Sequence, residues 1–300
     1  MKKQKVILDT DIGDDFDDAN ALGLLLASPE IDLIGVVVDY GNTPERAKVA
    51  CRMLYEVGRE DVPVVVGRQT DDPFTRAHFY TKQFHWGEGF DKKKPIEQSA
   101  ADFIIAQLHK YPGEIILLTI APVTNFQDVL EKEPDVLKMA KKVVSMFGSF
   151  YMGYSSHPLP CAEWNVKADI PASQQFSASG ANIVYAGLDV TVFVRLKKEF
   201  LQQFAYRNSP LTDAILALFT LSSIERKDPE PIIYDSVTAG MILWPDLFKT
   251  RKAFVRVDDD GFTIIDESKA PNCEIAVSVD VGEFFNRYMD RMLTQNLMRK

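Results

Sequence analysis

The chain has 300 residues, 46% hydrophobic and 26% charged, which suits a soluble globular protein with a sizeable core. Its formal net charge of −9 and sequence pI of about 5.1 argue against a nucleic-acid backbone or an anionic membrane surface as partner. Cys51, Cys161 and Cys273 are widely spaced and odd in number, so they suggest neither a disulfide framework nor a zinc site, and no stretch approaches transmembrane length.

The first residues, Met1-Lys2-Lys3-Gln4-Lys5, precede only three apolar residues before Asp9. That run is too short for a signal-peptide core, so the expected compartment is the cytoplasm. Residues 6–8 read as a buried strand, and the chain then places six aspartates within ten residues, Asp9 to Asp18. Residues 17–27 have helical spacing, with the preceding acids as the expected cap. A strand whose C-terminal end points into carboxylates, followed by a helix, is the geometry of an α/β active site. Like charges at such density are tolerated if solvated, if some are protonated, or if a hard cation such as Ca²⁺ or Mg²⁺ neutralises them. A solvated acidic loop is the plainer reading of the same residues.

Residues 31–38 form a second β-branched run, ending at the turn Asp39-Tyr40-Gly41-Asn42. The next helix carries Ala47, Ala50, Leu54 and Val57 at helical spacing, and residues 62–66 read as a third strand. This alternation predicts a parallel sheet with right-handed crossovers. Residues 68–97 break the pattern with polar and aromatic residues (Phe74, Phe79, Tyr80, Phe84, His85, Trp86, Phe90), as a lid or binding loop would. Further on, 101–109 reads as helix and 115–119 as strand. Residues 121–125 lead into another helix, with Asn125 a structural residue at its start. Strands are expected at 143–146, 183–185 and 190–194, an irregular stretch at 147–160, and a helix at 211–221. The apolar segment 232–243 is interrupted by Asp235, residues 253–279 alternate like antiparallel strands, and 281–293 closes as an amphipathic helix. The expected architecture is one α/β domain over residues 1–300, an open, mostly parallel sheet flanked by helices with a short antiparallel region near the C-terminus.

Asp11, Asn42, the Ile120-Ala121 backbone and Asp235 all fall where strand ends of such a sheet converge on one crevice. Glu163-Trp164-Asn165 can add polar groups there, although Glu163 and Asn165 alone are ordinary residues for a helix start. Trp164 either stacks on a substrate or packs beneath its neighbours. Carboxylates, carboxamides and a metal suit a polyhydroxylated substrate, because each hydroxyl both donates and accepts.

Six segments, in order, resemble the inosine–uridine nucleoside hydrolase family: residues 6–22, with an Asp-x-Asp-x-Gly…Asp-Asp-Ala signature; 37–42, with its Gly-Asn turn; 112–125; Ala162-Glu163-Trp164-Asn165; Gly187-Leu188-Asp189-Val190-Thr191; and Tyr234-Asp235-Ser236-Val237. The resemblance implies a Rossmann-like fold and a Ca²⁺ held by Asp11, Asp18, Asp235 and the backbone carbonyl of Ile120. It also implies Asp11 as general base on an activated water, Asp17, Asn42 and Asn165 on the 2′- and 3′-hydroxyls of a ribonucleoside, and Glu163 on the 5′-hydroxyl. His85 stands where the family has a His-Gly loop, and either lines the pocket or only rides on its loop. A homodimer or homotetramer is a further implication.

Three departures accompany the resemblance. Asp14, Asp15 and Phe16 separate Gly13 from the Asp17-Asp18 pair where the family usually has one residue, so Asp14 or Asp15 is an alternative ligand. Tyr234 occupies the place of a His that assists departure of the base, which makes Tyr234 the candidate acid although a phenol is weaker than an imidazolium. An Asn used by some members on the 5′-hydroxyl falls near His157. Two other functions compete with the hydrolase. One is a nucleoside- or sugar-binding homologue that has lost the chemistry. The other is a haloacid-dehalogenase-type phosphatase with Asp9 as nucleophile, although its usual Gly-Thr after Asp-x-Asp is missing.

Overall fold

The computed structural model describes residues 3–71 and 81–299. The ten strands among the described residues are β1 (Gln4–Thr10), β2 (Ile31–Val38), β3 (Val64–Val66), β4 (Ile115–Thr119), β5 (Lys142–Met146), β6 (Ile183–Ala186), β7 (Phe248–Ala253), β8 (Val255–Val257), β9 (Thr263–Ile265) and β10 (Cys273–Val279). Eight of them form one sheet in the order β3-β2-β1-β4-β5-β6-β10-β7, parallel except for β7, which runs antiparallel to β10 at the edge. The remaining two, β8 and β9, form a separate antiparallel pair.

Both faces of the central sheet are covered, which is why β4, β5 and β6 are mostly buried apolar runs rather than alternating ones, whereas the edge strand β7 is largely polar and exposed. On β1, Val6 and Leu8 point into one core and Ile7 into the other. The first core is completed by α1 (Asp17–Leu26), α2 (Thr43–Glu56), α10 (Pro210–Arg226), α11 (Tyr234–Leu243) and α12 (Val281–Thr294). The second is covered by α4 (Ala100–Lys110), α5 (Thr124–Lys132) and α7 (Ile170–Ala178), with Phe126, Phe147, Phe176 and Tyr185 in contact at its centre. Shorter helices are α3 (Phe84–Gly87), α6 (Trp164–Ala168) and α8 (Leu188–Thr191), and α9 (Lys198–Arg207) precedes α10. From β1 the chain winds outward through β2 and β3, then returns to the other side at β4. The crevice at that reversal, beyond the C-terminal ends of β1 and β4, is where such sheets bind ligands.

Two local expectations are corrected, and two further segments are resolved in detail. Residues 190–194 are not a strand: α8 ends at Thr191 with Val192 as its C-cap, and within it Asp189 turns back to accept hydrogen bonds from Phe150 N (2.9 Å) and Tyr151 N (2.6 Å). No acid caps α1: its N-cap is Phe16, without a side-chain cap bond, and Asp17 and Asp18 lie inside the first turn. The alternation over 253–279 resolves into the β8–β9 pair and β10, and β10 pairs in parallel with β6 as well as antiparallel with β7. The apolar segment 232–243 is helix α11, with Asp235 in its first turn. Of the expected lid, Phe74, Phe79 and Tyr80 lie outside the described residues. Its later part is anchored, because Phe84 is fully buried and Trp86 stacks on the Arg52 guanidinium at 4.6 Å.

Candidate active site

The last residues of β1 divide the site into a buried base and an open turn. Asp9 points down between the strands, where Oδ2 accepts from Thr119 Oγ1 and Oδ1 from Asn125 Nδ2, each at 2.8 Å. Asp39, at the end of β2, accepts from Tyr40 N at 2.7 Å and Asn125 N at 3.0 Å. Burial pushes the Asp9 carboxyl up to about 7 and raises Asp39 well above the carboxylate range. With both oxygens bonded and its side chain buried, Asp9 has no approach to a substrate, and the phosphatase reading loses its nucleophile.

Beyond Asp9 the chain turns. Thr10 Oγ1 receives Ile12 N at 3.1 Å and donates to Asp18 Oδ1, tying the end of β1 to the start of α1. Gly13 takes φ +115°, and an added Cβ would fall 2.5 Å from Phe84 Cε1, so this turn requires glycine. Thr81 Oγ1 donates to the Gly13 carbonyl and Gln83 Nε2 to that of Asp15 at 3.0 Å, clasping the turn from the segment before α3.

α1 and α11 pack together with their first turns at the crevice. This brings carboxylate oxygens of Asp17, Asp18 and Asp235 within 4.8 Å of one another, all three residues buried. Burial and mutual repulsion raise Asp18 and Asp235 well above the carboxylate range. Two helix N-termini favour negative charge here but do not offset three close carboxylates. Such a cluster needs protons or a hard cation, and its all-oxygen donor set fits Ca²⁺ or Mg²⁺. Asp11 stands beside this trio, not within it. Burial raises its carboxyl to about 6 against the pull of Arg46, whose Nη2 is 3.9 Å from Asp11 Oδ2.

These acids form one side of a cavity of about 640 Å³. Asp11, Asp14, Asp15, Asp17, Asp18, Asp235 and Ile120 line it, together with Glu163, Trp164, Asn165 and Tyr234. Glu163 is the N-cap of α6: its carboxylate accepts from Asn165 N at 2.9 Å and Val166 N at 3.4 Å, and also from Gly148 N at 3.0 Å. Burial pushes it up to about 7. Asn165 Nδ2 donates to the Met146 carbonyl at 3.0 Å, which aims the carboxamide. Asn42 and His85 are not among the described lining residues. Asn42 is the N-cap of α2, and His85 is exposed with Nδ1 2.9 Å from Glu88 Oε1.

Tyr154 lines the cavity and was not singled out in the sequence. Its hydroxyl accepts from Trp164 N at 2.9 Å and lies 3.5 Å from Glu163 Oε1, and its ring meets Tyr234 edge-on at 6.4 Å. The available signal was a tyrosine after Gly153 in a Gly/Ser/Pro-rich stretch shortly before Glu163. Its 3₁₀ turn, with Ser155 and Ser156 at positive φ, has no periodicity to read. Arg46, buried behind Asp11, was missed as well. Its signal was a cation near the start of a helix, where the helix field disfavours it.

The family model described as inosine-uridine preferring nucleoside hydrolase matches residues 6–286, a span that contains every residue of this cavity. The chain belongs to that family. It is thereby a hydrolase acting on N-glycosyl bonds. Among similar nucleoside hydrolases is the pyrimidine-specific ribonucleoside hydrolase RihA of Citrobacter koseri, 28% identical over 96% of this chain and 97% of its own. An uncharacterized protein of Schizosaccharomyces pombe, C1683.06c, is 31% identical over 96% of this chain and 98% of its own. Among solved structures, a plant nucleoside hydrolase superposes with a TM-score of 0.85 at 25% identity, covering 97% of this chain and 99% of that one. Within this nucleoside hydrolase the two departures nearest the chemistry are placed in the cavity: Asp14 and Asp15 on its acidic side, and Tyr234 beside Asp235.

Proposed function

We propose that this chain hydrolyses the N-glycosidic bond of ribonucleosides to ribose and free base, with Ca²⁺ in the acidic crevice and Asp11 as general base. The observation that carries this reading is the convergence of Asp17, Asp18 and Asp235 in a cavity that Glu163, Trp164, Asn165 and Tyr234 also line. Asp11, Asp18, Asp235 and the carbonyl of Ile120 would hold the ion. When bound, it neutralises the acids and lowers the pKa of a water in the crevice.

The remaining work falls to side chains. Asp11, oriented by Arg46, takes a proton from that water as its oxygen attacks C1′. Positive charge develops on the ribose as the bond to the base lengthens, and the surrounding carboxylates stabilise it. Asn165, with its nitrogen held by Met146, has its carboxamide oxygen to accept from a ribose hydroxyl. Asp17 takes another ribose hydroxyl and Glu163 the 5′-hydroxyl, while Trp164 flanks the substrate. Tyr234 donates a proton to the departing base. Burial, and the charges of Asp17 and Asp15, push its phenol upward, so it is fully protonated at neutral pH but a reluctant acid.

The test is reducing-sugar release from inosine, uridine, cytidine, adenosine and p-nitrophenyl riboside before and after chelation. Release from natural nucleosides, abolished by chelation and restored by Ca²⁺, is expected. Ca²⁺ binding without turnover of any substrate would replace this reading with that of a nucleoside-binding homologue.

A further inference from the structure

Arg46 is a fully buried cation one turn into α2, where the N-terminal field of the helix disfavours positive charge. Helix stability gives no reason for an arginine there. Its guanidinium serves two turns instead. Nε donates to the Tyr40 carbonyl at 2.7 Å, Nη1 donates to the carbonyls of Asp11 and Ile12, the latter at 3.3 Å, and Nη2 faces the Asp11 carboxylate at 3.9 Å. Asp11 and Ile12 follow β1 while Tyr40 follows β2, so one planar fork joins two strand ends at the crevice. Tyr40 is held at φ +61°, a conformation that bulky residues rarely adopt, and its ring meets Trp164 of the cavity wall edge-on at 6.5 Å.

We infer that Arg46 is a positioning residue and built-in counter-charge for Asp11, holding Asp11 and the Tyr40 turn in place without a dication while opposing the dication's binding. The inference rests on the role proposed for Asp11. Its charge is of the same sign as the ion and close to one of the proposed ligands, so removing it strengthens ion binding even as the geometry loosens. Lysine keeps the charge but lacks the fork, and glutamine keeps a donor but lacks the charge.

Full-length Arg46→Gln and Arg46→Lys are compared with the parent by calorimetric titration of the metal-free protein with CaCl₂, by thermal unfolding in chelator, and by kcat and KM. Arg46→Gln is expected to bind Ca²⁺ at least about threefold more tightly and to melt at least about 3 °C lower in chelator. At saturating Ca²⁺ its kcat falls at least about tenfold with KM within about threefold. Arg46→Lys is expected to keep the parental Ca²⁺ affinity within about threefold and still lose at least about fivefold in kcat, because the fork is gone. Weaker or unchanged Ca²⁺ binding by Arg46→Gln, or parental kcat in Arg46→Lys, overturns the inference. If Arg46→Gln does not fold, Arg46→Lys decides by the same criteria. A parent protein that binds Ca²⁺ yet cleaves no nucleoside contradicts the proposed function instead, and the calcium titration and melting curves still decide the case of Arg46.

Discussion

Asn125 Nδ2 donates to Asp9 Oδ1 at 2.8 Å while the backbone N–H of the same residue donates to Asp39 Oδ2 at 3.0 Å. One asparagine at the start of α5 therefore closes the ends of β1 and β2, and the acidic turn stands on a buried polar layer. Gly67 packs directly against it, since an added Cβ would fall 2.2 Å from Asn125 Oδ1. Asn125→Ala leaves Asp9 short of a donor in a dry site, so the unfolding free energy in urea should fall by about 2–3 kcal/mol. KM, by contrast, should stay within about threefold because Asn125 does not line the cavity.

The buried acids make the metal-free protein sensitive to pH. Burial pushes Asp9 and Glu163 up to about 7 and Asp11 up to about 6. The folded state therefore binds protons more tightly than the unfolded chain, whose carboxyls titrate near about 4. The stability from these protons is fully present below the unfolded values and is lost as pH rises through about 6 to 7. In chelator, the thermal midpoint should fall from pH 5 to pH 8, and saturating Ca²⁺ should remove most of the fall. A midpoint that rises over this range would contradict the assignment.

Tyr234 is proposed to protonate the leaving base. Tyr234→Phe should lower kcat on natural nucleosides at least about tenfold, while p-nitrophenyl riboside, whose leaving group needs no proton, should change less than about threefold. Equal losses on both substrates would assign Tyr234 to binding.

Asp189 lies outside the cavity lining but holds Phe150 N and Tyr151 N, and so fixes the stretch that carries Tyr154 to the wall. Asp189→Ala should raise KM several-fold, with kcat reduced by less than about threefold, as the wall loosens while the acids stay in place. A kcat loss at constant KM would show that the stretch acts on the chemistry itself.

The sheet was legible because 6–8 in β1, 36–38 in β2 and 115–118 in β4 are continuous apolar stretches, all buried, the first two passing directly into Asp9 and Asp39. The acidic turn was legible through its density of aspartates, and Glu163 and Asn165 only through the family that their segment resembles. What the sequence hid depends on contacts between distant segments. Val190, Val192 and Val194 read as strand, yet Asp189 bonds a loop 38 residues earlier, Val190 lies in the short helix α8 and the chain leaves that helix at Val192. Tyr154 and Arg46 reach the site from a turn without periodicity and from a helix start with an unfavourable charge, and neither local pattern announces where the side chain ends. Asn42 and His85, both expected at the substrate, are absent from the described cavity lining.

The proposed reaction depends on Asp11 acting as base at the acidic crevice. The most direct test is single-turnover ribose release by Asp11→Asn at saturating Ca²⁺, with occupancy verified by titration, on the nucleoside that the parent cleaves best. The hydrolytic rate is expected to fall at least about 100-fold with the fold intact, since a carboxamide cannot accept the proton. A rate within about threefold of the parent would contradict this role of Asp11 and move the base to another carboxylate of the cluster.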